Sequence, residues 1–127
     1  MTSLLILIAC VFLSTAHAEP ASERYGDEYQ TCRDGSTHDI VVCLSALYKK
    51  WDGRLNAAYQ KLLKQQEDAK SREALIRAQR AWLKYRDDNC DWYETGEGTI
   101  RRLWGSECMR SMTAARALEL EEAGETR

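Results

Sequence analysis

Residues 36–62 read STHDIVVCLSALYKKWDGRLNAAYQKL, and their periodicity decides the fold. Apolar side chains recur at Val41, Leu44, Tyr48, Trp51, Leu55, Ala58 and Leu62, in alternating steps of three and four. Steps of this kind keep one stripe of a helix apolar, while Lys49, Lys50, Arg54, Lys61 and Lys64 fall mostly off it. Ser36 with Asp39 three residues on resembles a capping box, Asp standing in for Glu, so a helix is predicted to begin there. Gly53 inside the stripe costs about 1 kcal/mol against alanine without cancelling the pattern.

A second stripe follows. Residues 65–70 form a polar break, Ser71 is the expected N-cap and Glu73 lies in the first turn. Leu75, Ala78, Trp82, Tyr85, Asn89 and Trp92 then repeat the same steps, with Asn89 the polar member of the seam. Gly96-Glu97-Gly98 ends this helix. Residues 99–105 fit a short helical turn or a loop. A third helix is predicted from Ser106 to about Glu122, with Cys108, Met112, Ala115 and Leu118 on its apolar face, and residues 123–127 are expected to fray. The expected architecture is all-α: a long antiparallel helical hairpin plus a third C-terminal helix, stapled by two disulfides.

Composition agrees with one helical domain. The chain has 127 residues, one proline, seven glycines, 44% hydrophobic and 30% charged residues. The length suits one domain, and so little proline argues against disorder or a turn-rich β-sandwich. A formal charge of −2 argues against a nucleic-acid partner.

The first eighteen residues are read as a leader. Residues 4–13, LLILIACVFL, are apolar throughout but too short for a bilayer, which needs ~20 residues, so no transmembrane span is expected. Ala16-His17-Ala18 has the small-x-small form of a signal-peptidase site, placing the mature start at Glu19 in the periplasm or secreted space. Leu7-Ile8-Ala9-Cys10 offers the rival reading of a lipidated Cys10. The expected organisation is leader 1–18, arm 19–36, helical domain 37–122 and tail 123–127.

Removing the leader removes the odd cysteine. Cys32, Cys43, Cys90 and Cys108 remain, and an even count in a small exported domain implies disulfides. No Cys-x-x-Cys occurs, and the spacings match no common zinc pattern, so neither metal nor cofactor is expected. Cys90 and Cys108 lie almost symmetrically about the turn near residue 99. Antiparallel helices would therefore bring them together, leaving Cys32 for Cys43. Cys43 with Cys90 and Cys32 with Cys108 is the competing arrangement.

Catalytic chemistry has little to stand on. His38 is the sole histidine after the leader and sits in a cap. No nucleophile elbow, P-loop or dinucleotide fingerprint occurs. Asp87-Asp88, adjacent in sequence, do not share a helix face. No catalytic residue is expected. Charge is uneven, however. Lys70, Arg72, Arg77, Arg80, Lys84 and Arg86 make residues 70–86 basic, and Arg77, Arg80 and Lys84 share the face opposite the seam, as a solvated outer face would. Asp87, Asp88, Asp91, Glu94 and Glu97 follow with no Lys or Arg before Arg101. Acids at a helix C-terminus oppose the macrodipole at ~0.3–1 kcal/mol each. With Trp92, Tyr93 and Trp104 beside them, they suit a cationic protein partner. Folding back of Arg101 and Arg102 to neutralise them is the alternative.

Residues 78–90, AQRAWLKYRDDNC, resemble the lysozyme inhibitor LprI-like family of bacterial envelope and secreted proteins. Cys32, Cys43, Leu55-Asn56-Ala57-Ala58-Tyr59, Cys108 and the run 113–120 extend the resemblance over residues 32–120. It implies a small, helical, disulfide-bonded, non-enzymatic exported protein. Gln79, Arg80, Trp82, Tyr85, Arg86 and Arg116 match the family pattern and are read as mainly structural, Trp82 and Tyr85 on the seam and Arg86 pairing with Asp87 or Glu119. The expected function is inhibition of a c-type lysozyme, a cationic muramidase, by occluding its cleft. The partner-facing residues would be Asp87, Asp88, Asp91, Trp92, Glu94, Glu97 and Trp104. A module binding another exported protein, such as a toxin or an assembly factor, is the alternative. The oligomeric state is open.

Overall fold

The computed structural model describes residues 27–126. The leader, its cleavage after Ala18, the Cys10 alternative and the first part of the arm lie outside the described residues. Three long helices follow one another: α1 (Thr37–Gln65), α2 (Ala69–Glu94) and α3 (Ile100–Glu125). A short helical segment, residues 27–30, precedes them, and no strand occurs among the described residues.

Local chemistry explains where the helices start. The Ser36 backbone N–H donates to Asp39 Oδ2 at 2.9 Å, and the Asp39 N–H donates to Ser36 Oγ at 3.3 Å, which completes the capping box. The Ser36 hydroxyl, then its backbone N–H, hold the Asp39 carboxyl below its ordinary pKa. α2 begins earlier than expected. Asp68, not Ser71, is its N-cap, and the Ser71 N–H donates to Asp68 Oδ1 at 2.8 Å. That hydrogen bond likewise lowers the Asp68 pKa. Gly98, at φ 77°, supplies the left-handed backbone that turns α2 into α3.

The packing centres on α3. Leu44 meets Leu103 near the starts of α1 and α3, and Gln65 Nε2 donates to the Gly124 carbonyl at 3.2 Å near their ends, so these two helices run in the same direction. α2 runs antiparallel to α3 and packs on it more lightly than α1 does. The backbones of α1 and α2 scarcely approach each other. The main core joins Trp51, Leu55, Ala58 and Leu62 of α1 to Ala114, Ala117 and Leu120 of α3. A smaller cluster gathers Cys32, Leu44 and Leu103. The disulfides are Cys32–Cys43 and Cys90–Cys108, with Cα–Cα distances of 5.6 and 5.4 Å. Each closure contributes roughly 3 kcal/mol in the chain-entropy model.

Serving two neighbours changes α3 from its expected form. It starts at Ile100, so residues 99–105 belong largely to the helix, and it continues through Glu125 instead of fraying after Glu122. Its buried residues are Leu103, Gly105, Cys108, Arg110, Thr113, Ala114, Ala117, Leu120 and Gly124, a wider arc than a single stripe, and Ala115 is exposed. Small side chains let the neighbours close in: a Cβ on Gly105 would lie 2.3 Å from Glu94 Cγ.

α2 shows a shifted seam. Tyr85, expected in the core, is 61% exposed, and Gln79, Arg86 and Cys90 are its buried residues. A strict seven-residue stripe drifts by ~20° per heptad around a straight helix. Gln79 and Arg86, one heptad apart, occupy the inward line because each finds a partner there: Arg116 Nε donates to Gln79 Oε1 at 3.1 Å, and Arg86 Nη1 donates to Thr113 Oγ1 at 3.3 Å.

Three outcomes check this packing. A Cβ at Gly53 meets nothing within 4 Å, so Gly53→Ala should raise the unfolding free energy in urea by about 1 kcal/mol. Gly105→Ala should lower it, because Glu94 must move. Asp39 and Asp68 have folded-state pKa values depressed below the unfolded 3.8, so their stabilisation is complete above that value and is lost as pH falls through the depressed ones. The melting temperature should therefore fall below about pH 4, and Asp68→Asn should reduce that dependence.

Candidate functional site

The helix 2–helix 3 turn forms one end of the molecule. It is fixed from below by the Cys90–Cys108 bond, beside which the Asn89 amide lies 3.2 Å from Met112 Sδ and 3.5 Å from Cys108 Sγ. It is fixed from above by the fit of Glu94 over Gly105. At the turn, the Thr95 N–H donates to the Trp92 carbonyl at 3.2 Å and the Thr95 hydroxyl to the same carbonyl at 2.7 Å.

These restraints leave large apolar side chains in solvent. Trp92 is 66% exposed and Trp104 48%, with Tyr93 and Ile100 also exposed. Trp92 and Tyr93 stand edge to face, their ring centroids 4.9 Å apart. Tyr93 and Trp104 together separate two open clefts. One, of about 370 Å³, is closed by Trp92, Thr95 and Gly96. The other, of about 410 Å³, is lined by Tyr29, Ile100, Leu103 and Met112. Core packing does not account for aromatic side chains so placed.

The five acids separate into two groups. Asp87 accepts from Arg86 Nε at 3.0 Å, and Asp88 from Lys84 Nζ at 2.6 Å. The Asp88 hydrogen bond holds the Lys84 pKa above its ordinary value. Asp91, Glu94 and Glu97 form no ion pair among the described residues, and neither Arg101 nor Arg102 folds back to them. The last turn of α2 holds no basic residue. Three carboxylates and the negative pole of α2 thus stand beside the exposed aromatics.

Behind the end lie two buried arginines. Arg86, 6% exposed, lies within 3.8 Å of Asp52 on α1 and reaches Thr113 on α3, and its guanidinium stacks 5.3 Å from the Trp82 ring. Asp87 is its sequence neighbour and ion-pair partner, while Glu119 pairs instead with Arg116 at 2.8 Å. Arg80 is exposed. Arg110, 0% exposed, was not legible as a core residue. Its Nε donates to Glu107 at 2.7 Å and its Nη1 to Glu28 at 3.0 Å, and Trp51 Nε1 donates to that same Glu28 oxygen at 2.6 Å. Burial alone would lower the Arg110 pKa, and Glu107 then Glu28 more than offset this. The only advance sign was the Glu107–Arg110 spacing of three.

His38 is exposed at the start of α1, and no group of three metal-ligating side chains occurs among the described residues. No helix among them is long and apolar enough to cross a membrane. The described residues thus form a small helical domain stapled by two disulfides, as small exported domains are. The model of the family described as lysozyme inhibitor LprI matches residues 30–120, and the chain belongs to that family, which is one of inhibitors and not of enzymes. An uncharacterized protein of Rhizobium meliloti (strain 1021) is 32% identical over 110 residues, covering 75% of this chain and 79% of the relative. No solved structure matches.

Arg110→Ala should destabilise the fold by about 3–5 kcal/mol, the range for stripping a buried ion pair of one partner. Lys84→Ala, which breaks an exposed pair, should change stability by under about 1 kcal/mol. Both are measured by chemical denaturation.

Proposed function

We propose that this protein inhibits a c-type lysozyme by laying its α2–α3 end across the muramidase cleft. The observation that carries the reading is the coincidence, at one rigid end, of exposed Trp92, Tyr93 and Trp104 with the unpaired carboxylates of Asp91, Glu94 and Glu97. Aromatic anchors supply most of the energy in interfaces of this kind, and a charged rim steers encounter. A cationic enzyme suits that rim, its basic cleft-edge residues meeting the acids while the aromatics cover the opening. Asp87 and Asp88, already paired within the chain, sit at the margin of this surface.

The exported setting rests on the family and the two disulfides. We place cleavage after Ala18, giving a soluble periplasmic or secreted protein. Intact mass of the exported material should fit a chain starting at Glu19, and a diacylated Cys10 would contradict this.

A turbidity assay of cell-wall lysis tests the inhibition. Slowing is expected at low salt and should weaken as salt rises. Trp104→Ala and Trp92→Ala should each raise the inhibition constant by tenfold or more, roughly what loss of an interface anchor costs. The triple change Asp91→Asn, Glu94→Gln, Glu97→Gln should reduce the association rate and flatten the salt dependence. No slowing by the unaltered protein at several-fold molar excess would dismiss the proposal.

A further inference from the structure

The outward face of α1 carries charge of the opposite sign from the acidic end. At ~100° per residue, Lys49, Lys50, Lys61 and Lys64 fall within an arc of roughly 120° centred opposite Leu55. All four are exposed, and none takes part in an ion pair among the described residues. No acid lies in that arc between residues 46 and 64, because Asp52 points inward to Arg86. Gly53 and Ala57 lie between the lysines, both exposed, and a Cβ on Gly53 would meet nothing within 4 Å. Gln60, also exposed in that arc, is the one long side chain among them, and it is uncharged.

The basic face of α2 behaves differently. Of its three outward cations, Lys84 is bound to Asp88 at 2.6 Å and Arg77 lies 4.0 Å from Glu73, pairs that α2 forms within its own surface, and only Arg80 has no ion pair among the described residues. An ordinary solvated helix face is laced in this way. The α1 face has no such internal neutralisation and so leaves four like charges to be met from outside.

We propose that this face docks the protein on a membrane surface of anionic phospholipid headgroups. A lysine within reach of such a surface adds about fivefold to affinity, and the attraction fades beyond a Debye length of ~8 Å at physiological salt. The face has no large apolar side chain between residues 46 and 64, so the helix lies on the headgroups without inserting. Docking along the flank from the middle of α1 to its far end leaves the aromatic end free, since that end lies beyond the start of α1, where Leu44 meets Leu103. The net charge of −2 means that the whole molecule has no general attraction for an anionic surface, so binding would report the face. The inference stands independently of whether a muramidase is the partner.

Co-sedimentation with vesicles tests it. The purified exported protein should bind phosphatidylglycerol–phosphatidylcholine vesicles at low salt, fail to bind pure phosphatidylcholine, and be released at about 0.5 M salt, where screening is nearly complete. The variant Lys49→Gln, Lys50→Gln, Lys61→Gln, Lys64→Gln should lose roughly a hundredfold or more in affinity, with an unchanged circular dichroism melt because every site is exposed. Arg77→Gln with Arg80→Gln, removing charge from α2, should change binding by no more than about twofold. Absence of binding to the anionic vesicles would overturn the proposal. So would equal losses from the two variants, salt-resistant binding, or binding to polyphosphate in solution without binding to vesicles.

Discussion

Arg110 carries a full positive charge into the interior, and its need for partners organises the elements around it. Glu107, one turn earlier on the same helix, provides one carboxylate, and Glu28 brings the other from the segment before α1. The Glu28 carboxylate also receives Trp51 Nε1 from the middle of α1. A charge buried without these groups would cost several kcal/mol, so α1, α3 and the N-terminal segment are held to one arrangement. The Cys32–Cys43 bond closes the same corner covalently.

Arg86 plays the matching part for α2. That helix packs lightly on α3 and scarcely approaches α1, yet Arg86 reaches Asp52 on one and Thr113 on the other while stacking on Trp82. Polar anchors thus position the helix that apolar packing alone holds loosely. Their direction matters for the site. Arg86 on the inward line turns Tyr85 and Trp92 outward, and the Cys90–Cys108 bond fixes the height at which Trp104 emerges beside them. The exposed aromatic end is a consequence of how the interior is satisfied.

Much of this was legible in the chain. The α1 stripe, the Ser36–Asp39 capping box and the helical class follow from periodicity and short-range hydrogen bonding, which depend on neighbours three or four residues away. The acidic run 87–97 and its aromatics were visible as composition. The shifted seam of α2 was not. An apolar-only reading passes over Gln79 and Arg86, because whether a polar side chain faces inward depends on a partner distant in sequence. The early start and unfrayed end of α3 were hidden for a related reason: a helix covered on two sides buries glycine, alanine and threonine, which carry little hydrophobic signal of their own.

Sequence by itself therefore determined the three helical stretches, the cap of α1 and the local excess of acid, since each is set within a turn or two of chain. Tertiary structure alone decided that α3 is the shared partner, that Arg110 and Arg86 are core residues, and which acids remain unpaired. Asp88 has Lys84 one turn away, whereas Asp91, Glu94 and Glu97 form no ion pair among the described residues, since neither Arg101 nor Arg102 reaches them. Pairing and burial are properties of three-dimensional neighbourhood, and charge becomes available to a partner only where that neighbourhood leaves it unanswered.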